Sequence, residues 1–184
     1  MTDGRHIAFT SGAAVELQAD YVVVGSGAGG SAAALVLARA GYNVAIVEAG
    51  PWRVPDDYPK SMYGCLRDMM DTWSTKVARG DSIMPIVQAS LVGGTTVINS
   101  SIVVRTPGDV IADWSEQHGL GDVFTVDNIG AAQDRIEREL QVTPSDQAEA
   151  FGRSSEMMLA AMRARGMEAH PTNRNVANCK GVNQ

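Results

Sequence analysis

Three glycines and one acid carry the chemistry that is legible first. Gly25, Gly27 and Gly30 form G-x-G-x-x-G within Gly25-Ser26-Gly27-Ala28-Gly29-Gly30, and Glu48 follows eighteen residues after the last of them. In such a pattern the first glycine permits a tight turn. The second lets the backbone approach a pyrophosphate with no Cβ in the way, and the third lets a helix lie close on a strand. An acid at this distance accepts hydrogen bonds from ribose hydroxyls and repels a 2′-phosphate. The chemistry implied is dinucleotide binding, with NAD or FAD preferred to NADP. A glycine pattern alone is weak evidence; its flanking elements decide.

Those elements are present in the required order. Tyr21 to Val24 is a short apolar run, the pattern of a strand buried on both faces of a parallel sheet. Ser31 to Ala40 is rich in alanine and leucine and predicts a helix whose first amides face the phosphates. Gly41 is placed to cap it, and Val44 to Val47 predicts the second strand, ending at Glu48. Residues 1–19 read as a surface arm, with a short strand at Ile7 to Thr10 and a turn from Ser11 to Ala19. After Gly50 the chain reads PWRVPDDYPKS, and three prolines within nine residues exclude an orderly crossover helix. That weighs against a plain NAD domain.

A second glycine site follows at Leu91-Val92-Gly93-Gly94-Thr95-Thr96-Val97-Ile98-Asn99. Gly93-Gly94 permits close backbone approach, and Thr95, Thr96 and Asn99 supply short polar side chains. Taken alone, a tight turn between strands is the preferred reading. Between the two sites, Met62 to Ala78 predicts a short helix with Met69, Met70 and Trp73 on it, the methionines as core fill. Ser82 to Gln88 reads as extended, and Ile102 to Val104 as a strand closing at Arg105-Thr106-Pro107.

Further on, Asp109 to His118 predicts a helix with Val110, Ile111 and Trp114 inward and His118 as a surface cap before Gly119. Asp127 to Leu140 is amphipathic, with Ile129, Ala132, Ile136 and Leu140 on one face and Asp134, Arg135, Glu137, Arg138 and Glu139 toward water. Ser145 to Gly166 predicts a third helix, Phe151, Met158, Leu159 and Met162 opposing a solvated face of Arg153, Arg163 and Arg165. Ala169 to Gln184 is polar and turn-forming.

Composition narrows the class. The 184 residues are 45% hydrophobic, enough for a proper core. Fifteen Lys and Arg against 21 Asp and Glu leave a formal charge of −6, which argues against a nucleic-acid partner. No apolar run reaches the roughly 18 residues of a membrane span, and the N-terminus has no secretory signal pattern. Cys65 and Cys179 stand far apart without a ligand cluster, so each reads as a buried or free thiol and no metal site is named. A cytoplasmic location fits these features.

Together, VVVGSGAGGSAAALVLARAGYNVAIVEAG (Val22 to Gly50) and SLVGGTTVINSSIVVRTP (Ser90 to Pro107) resemble the N-terminal part of the glucose–methanol–choline (GMC) oxidoreductases, FAD enzymes that oxidise alcohols. The likeness extends through the helices to NVANCKGVNQ, with the Arg105-Thr106-Pro107 ending and Asn175 to Gly181 nearest the bacterial branch that includes long-chain alcohol oxidases. Two positions depart from the family signature: Ser90, often basic there, and Val103, often aromatic or alanine.

The resemblance implies an α/β fold: a Rossmann-like FAD-binding βαβ unit with added helices and short strands, an incomplete domain lacking its C-terminal half. Residues 1–184 would be one FAD-binding portion, with its βαβ core at 20–50, the second glycine site at 90–107 and a helical region at 109–166. It implies that Gly25, Ser26, Gly27, Ala28, Gly29 and Gly30 hold the FAD pyrophosphate and that Glu48 holds the adenosine ribose, with Ala49 and Gly50 lining the same region. Gly93, Gly94, Thr95 and Asn99 would approach the pyrophosphate, ribityl chain and flavin.

No histidine lies near the second glycine site, so FAD is expected to be non-covalent. His6, His118 and His170 match no catalytic position of the family, and no catalytic residue is named. The expected function is the FAD-binding part of an oxidoreductase acting on CH–OH groups by hydride transfer to the flavin. Its alcohol substrate would be met through the absent C-terminal part, which would come from the same gene or from a second polypeptide completing the fold. The alternative is a truncated or non-catalytic nucleotide-binding module. An NAD-dependent dehydrogenase domain ranks below both.

Overall fold

A computed structural model describes residues 4–146 and 151–176. The chain forms a mixed α/β structure, and the described residues carry five α-helices and three two-stranded sheets. It divides into two compact units, Met1–Asn99 and Ser100–Gln184.

In the first unit, β1 (Tyr21–Val24) leads through the glycine run into α1 (Ala28–Arg39), and α1 leads into β2 (Val44–Val47). The strands pair in parallel, Tyr21 opposite Val44 through Val24 opposite Val47. Both strand ranges agree with the sequence expectation. The helix begins three residues before the expected Ser31, because Ala28, Gly29 and Gly30 already take helical geometry. Its end is closed by Gly41 N–H on Ala38 O (3.0 Å) and Tyr42 N–H on Leu37 O (3.2 Å), the paired bonds of a glycine-terminated helix. The expectation of a strand buried on both faces does not hold: Val22 is 61% and Val24 85% exposed. The sheet they belong to has two strands, so the apolar pattern of a buried strand has no further strand or layer to bury it among the described residues.

Beyond β2, α2 (Met62–Asp68) is capped by Ser61, whose Oγ accepts from Gly64 N–H. A short hairpin follows, β3 (Val77–Ala78) antiparallel to β4 (Met84–Pro85). The proline-rich stretch contributes one 3₁₀ turn, Pro55–Asp57, and no crossover helix, as expected. Met69, Ala89 and Leu91 make a small core with Tyr58, Cys65, Val97 and Ile98 packed on it, so Met69 does act as core fill. Cys65 carries a free thiol that donates to Pro59 O at 3.4 Å. The arm from Gly4 to Leu17 is exposed, and the strand expected at Ile7 to Thr10 is absent, since nothing pairs with it.

The second unit contains α3 (Gly108–His118), α4 (Val126–Glu139) and α5 (Arg153–Ala164), with β5 (Thr143–Pro144) antiparallel to β6 (Asn173–Arg174). Thr125 caps α4 by accepting from Asn128 N–H, and Gly119 ends α3 in the left-handed conformation. Ile111 is buried, whereas Trp114, expected inward, is 43% exposed and lies tilted against the Phe124 ring at a 6.0 Å centroid distance. Ile136, Leu140 and Met158 are likewise exposed. The strand expected at Ile102 to Val104 reduces to a single bridge, Ile102 to Arg174, because β6 is only two residues long. Glu137, expected in water, receives Arg105 instead. Arg153, Arg163 and Arg165 are exposed, as expected. The third helix starts at Arg153 rather than Ser145; the part of that expectation on residues 147–150 lies outside the described residues, as does Cys179.

Candidate functional site

The site is built where β1 ends. Gly25 N–H donates to Val47 O (2.8 Å), tying the first residue of the glycine turn to the end of β2. The chain then turns through Gly25, at φ +90°, into α1. A Cβ at Gly30 would lie 2.0 Å from Gly25 O, so the third glycine of the pattern is required by the close approach of helix and turn. Gly27 is different. It is the N-cap of α1, at φ −63°, and a Cβ there would meet nothing within 4 Å. The space over Gly27 is open, no side chain caps the helix start, and no acid lies in its first turn. Such an end attracts anions, since its amides and dipole are unopposed. Ala28 and Gly29 lie exposed in the same first turn. Ser31 Oγ donates to Ser26 O (2.6 Å) and fixes the strand-to-helix corner.

Sixty-seven residues later the chain returns to this point. Gly93 and Gly94, at φ +95° and +56°, form a left-handed corner that only glycine takes without strain. Gly93 N–H donates to Ser26 Oγ at 2.9 Å. A Cβ on Gly94 would sit 3.1 Å from Gly27 Cα, so the glycines of the two sites are in close apposition. The approach continues at Gly50, where a Cβ would fall 2.3 Å from Leu91 N. Val92 N–H donates to Pro51 O (3.1 Å). The tight turn between strands, preferred for Gly93-Gly94 taken alone, is instead a 3₁₀ turn, Gly94–Val97, docked on the first glycine site.

Glu48, half-buried, bonds to Ser26 of the first turn and to Gly50. Its Oε2 accepts from Ser26 Oγ–H (2.6 Å) and from Ser26 N–H (2.8 Å), and Oε1 accepts from Gly50 N–H (2.8 Å). The Ser26 hydroxyl is the main influence holding the carboxyl below the usual glutamate range; burial opposes it, and the Gly50, Ser26 and Ala49 amides add to it. The acid is therefore ionised and aimed.

The structure thus brings Gly25 to Gly30, Glu48, Gly93 and Gly94 together, with Ala49 exposed beside Glu48. Thr95 and Asn99 are turned to structural duty: Thr95 Oγ1 accepts from Ala89 N–H (3.3 Å), and Asn99 Nδ2 donates to Thr96 O (2.9 Å). Sequence reasoning missed two contributors: Ser31 staples the corner, and Leu91 is 1% exposed under the second turn. Thr96, read as a short polar side chain beside Gly93-Gly94, closes that turn by donating Oγ1–H to Gly93 O at 2.6 Å. Leu91 had a signal, an apolar residue just ahead of Gly93-Gly94; the Ser31 hydroxyl had none. The histidines lie elsewhere: His6 against Trp52 in the exposed arm, His118 at the exposed end of α3, His170 exposed in the second unit.

The GMC oxidoreductase family model, covering the N-terminal part of these enzymes, matches residues 19–183. The chain belongs to the GMC oxidoreductase family. It is 37% identical over 172 residues to an uncharacterized GMC-type oxidoreductase of Mycobacterium tuberculosis, covering 91% of this chain and 26% of that protein. It is 36% identical over 132 residues to long-chain-alcohol oxidase FAO4A of Arabidopsis thaliana, covering 70% of this chain and 17% of the oxidase. A shorter match, 48% over 42 residues, reaches a 2-methyl-1,2-propanediol dehydrogenase of Mycolicibacterium austroafricanum, covering 23% of this chain and 8% of that enzyme. The GMC chain thus spans about a quarter of the length of the first of these relatives. Among its described residues no helix is long and apolar enough to cross a membrane.

Proposed function

We propose that this chain is the FAD-holding portion of an oxidoreductase that oxidises an alcohol at a CH–OH group. The observation that carries the reading is the apposition of the two glycine turns, with open space over Gly27 and an ionised Glu48 held by Ser26. In this reading 1–184 is one FAD-binding portion. Residues 20–50 form a Rossmann-like core, 90–107 the second glycine site and 109–166 an added helical region. The amides of Gly27, Ala28, Gly29 and Gly30 and the end of α1 hold the pyrophosphate. Glu48 accepts a ribose hydroxyl, with Ala49 beside it. Gly93, Gly94, Thr95 and Asn99 carry the backbone that passes along the pyrophosphate and ribityl chain. Thr95 and Asn99 do so mainly by shaping the turn.

Bound FAD supplies a hydride acceptor, which side chains alone do not. This chain binds and orients it, and the attachment is non-covalent. No catalytic residue is assigned within the chain. The alcohol is met by a part of the protein beyond these residues, carried by the same or a second polypeptide, and the location is cytoplasmic. Support for an alcohol substrate comes from the family and from relatives named as alcohol oxidases.

The test is the visible spectrum of the chain purified after co-expression with the polypeptide encoded downstream of it. The expected result is a flavin spectrum that bleaches on addition of an alcohol under anaerobic conditions. A well-folded product without flavin overturns the FAD reading; flavin that no alcohol reduces overturns the substrate reading alone.

A further inference from the structure

We propose that the Ser26 hydroxyl is a positioning residue that latches the second glycine turn to the first and aims Glu48, so that the two turns receive the dinucleotide as one site. The inference rests on the FAD reading above for its ligand, and on geometry alone for the latch. A serine hydroxyl has one proton and two lone pairs. Gly93 N–H arrives at 2.9 Å and can only donate, so it takes a lone pair. The proton is thereby left for Glu48 Oε2 at 2.6 Å. The order amide, hydroxyl, carboxylate is thus fixed, and Ser26, 5% exposed, is screened from competing water. The three residues come from three separate segments, 22 and 67 positions from Ser26.

The latch explains why the second turn sits on the first although few apolar side chains hold it. Leu91 anchors one end of the turn, while the other end, where Gly94 faces Gly27, has no side chain to pack. A hydrogen bond to a charged acceptor contributes more than a neutral one, and here the charge is passed through the hydroxyl. For the acidity of Glu48 the hydroxyl leads, burial opposes, and the amides of Gly50, Ser26 and Ala49 follow. Removing the hydroxyl should therefore do two things together. It should free the Gly93 amide, and it should raise the Glu48 pKa toward the ordinary glutamate range.

Ser26→Ala and Ser26→Thr are compared with the wild-type chain in two measurements. Hydrogen exchange reads the Gly93 amide against the α1 amides of Leu35 to Leu37. Titration with ADP and with FAD from pH 4 to 8 reads affinity and its acid limb. Ser26→Ala is expected to speed Gly93 exchange about tenfold or more with α1 unchanged, to weaken both ligands about tenfold, and to move the acid limb of ADP binding upward in pH. Ser26→Thr, which keeps the hydroxyl, restores all three. The latch is overturned if Ser26→Ala leaves Gly93 exchange at the wild-type rate, or if Ser26→Thr behaves like Ser26→Ala. Should Ser26→Ala also deprotect α1, Ser26→Thr decides: wild-type Gly93 exchange supports the latch and fast exchange overturns it. A wild-type chain that binds neither ligand sinks the FAD reading, while Gly93 exchange still judges the latch.

Discussion

Each of the two units of this chain is held together internally by its own means. In Met1–Asn99, backbone meets backbone within the first turn, Gly30 against Gly25, and between distant segments, Gly50 against Leu91 and Gly94 against Gly27. The polar chain Gly93, Ser26, Glu48 runs through the same place. In Ser100–Gln184 the helices are closed locally, with Thr125 capping α4 and Gly119 ending α3, and among the described residues one side chain is deeply buried, Ile111 at 2% exposure. Its distant segments meet through strand pairing, β5 with β6 and the Ile102 to Arg174 bridge, and through an exposed ion pair network, Arg105 with Asp134 (2.6 Å) and Glu137 (2.5 Å). In the first unit Gly30, Gly50 and Gly94 are spacers with little or no room for a methyl group, whereas Gly27 faces open space. No described glycine of the second unit has a neighbour closer than 3.5 Å to its missing Cβ. The lesson is that a glycine's meaning lies in what faces its missing Cβ, which differs between the units.

The comparison breaks most visibly at Gly50. A Cβ there would overlap Leu91 N, Leu91 Cα and Ser90 C, all backbone, at 2.3 to 2.4 Å. Gly50→Ala should cost about 3 kcal/mol or more, since backbone cannot rotate aside. Urea denaturation of the chain measures this; a loss below about 1 kcal/mol would mean the two segments are not in contact. Leu91→Ala comes next, at about 2–3 kcal/mol in the same assay. That is the lower half of the usual range, because the cluster of Met69 and Ala89 around it is small and can collapse inward.

In the second unit the sign reverses. Gly130 lies inside α4 with nothing within 4 Å of its absent Cβ. Gly130→Ala should raise stability by about 0.5–1 kcal/mol, through helix propensity and a less flexible unfolded chain. Smallest is Arg105→Gln. The carboxyl of Glu137 is held below the ordinary range chiefly by its hydrogen bond from Arg105. A depressed carboxyl contributes stability above its unfolded pKa and loses it as pH falls through the folded one. The variant should thus differ from wild type only slightly, and the difference should vanish both below the glutamate range and at high salt. A large, salt-insensitive loss would show that the pair is more than a surface contact.

How much of this was legible beforehand follows the same division. The βαβ pattern was readable to the residue in its strands because apolar runs of four, a glycine turn and an alanine-rich helix are local signals. Gly25, Gly27, Gly30 and Glu48 could be placed for the same reason. What the sequence could not carry was mutual: that Ser26 would serve both Glu48 and a turn 67 residues away depends on tertiary placement. Exposure failed as a forecast wherever a pattern presumed a neighbour, as at Val22, Val24 and Trp114. Thr72, Trp73 and Ser74 form a left-handed turn at φ 47°, 58° and 56°, which no propensity for those residue types anticipates. Strands of two residues, such as β5 and β6, are too short for alternation to register.

The central claim, that the two glycine turns form one dinucleotide site, is tested most directly at Gly27, where a methyl group meets open space rather than protein. FAD titration of wild type and Gly27→Ala, followed by flavin fluorescence alongside urea denaturation, separates binding from folding. The account predicts an unfolding midpoint shifted by no more than about 1 kcal/mol of stability and an FAD affinity lowered at least about tenfold, because the added Cβ occupies the ligand's side of the turn. Equal FAD affinity in the two proteins would contradict it.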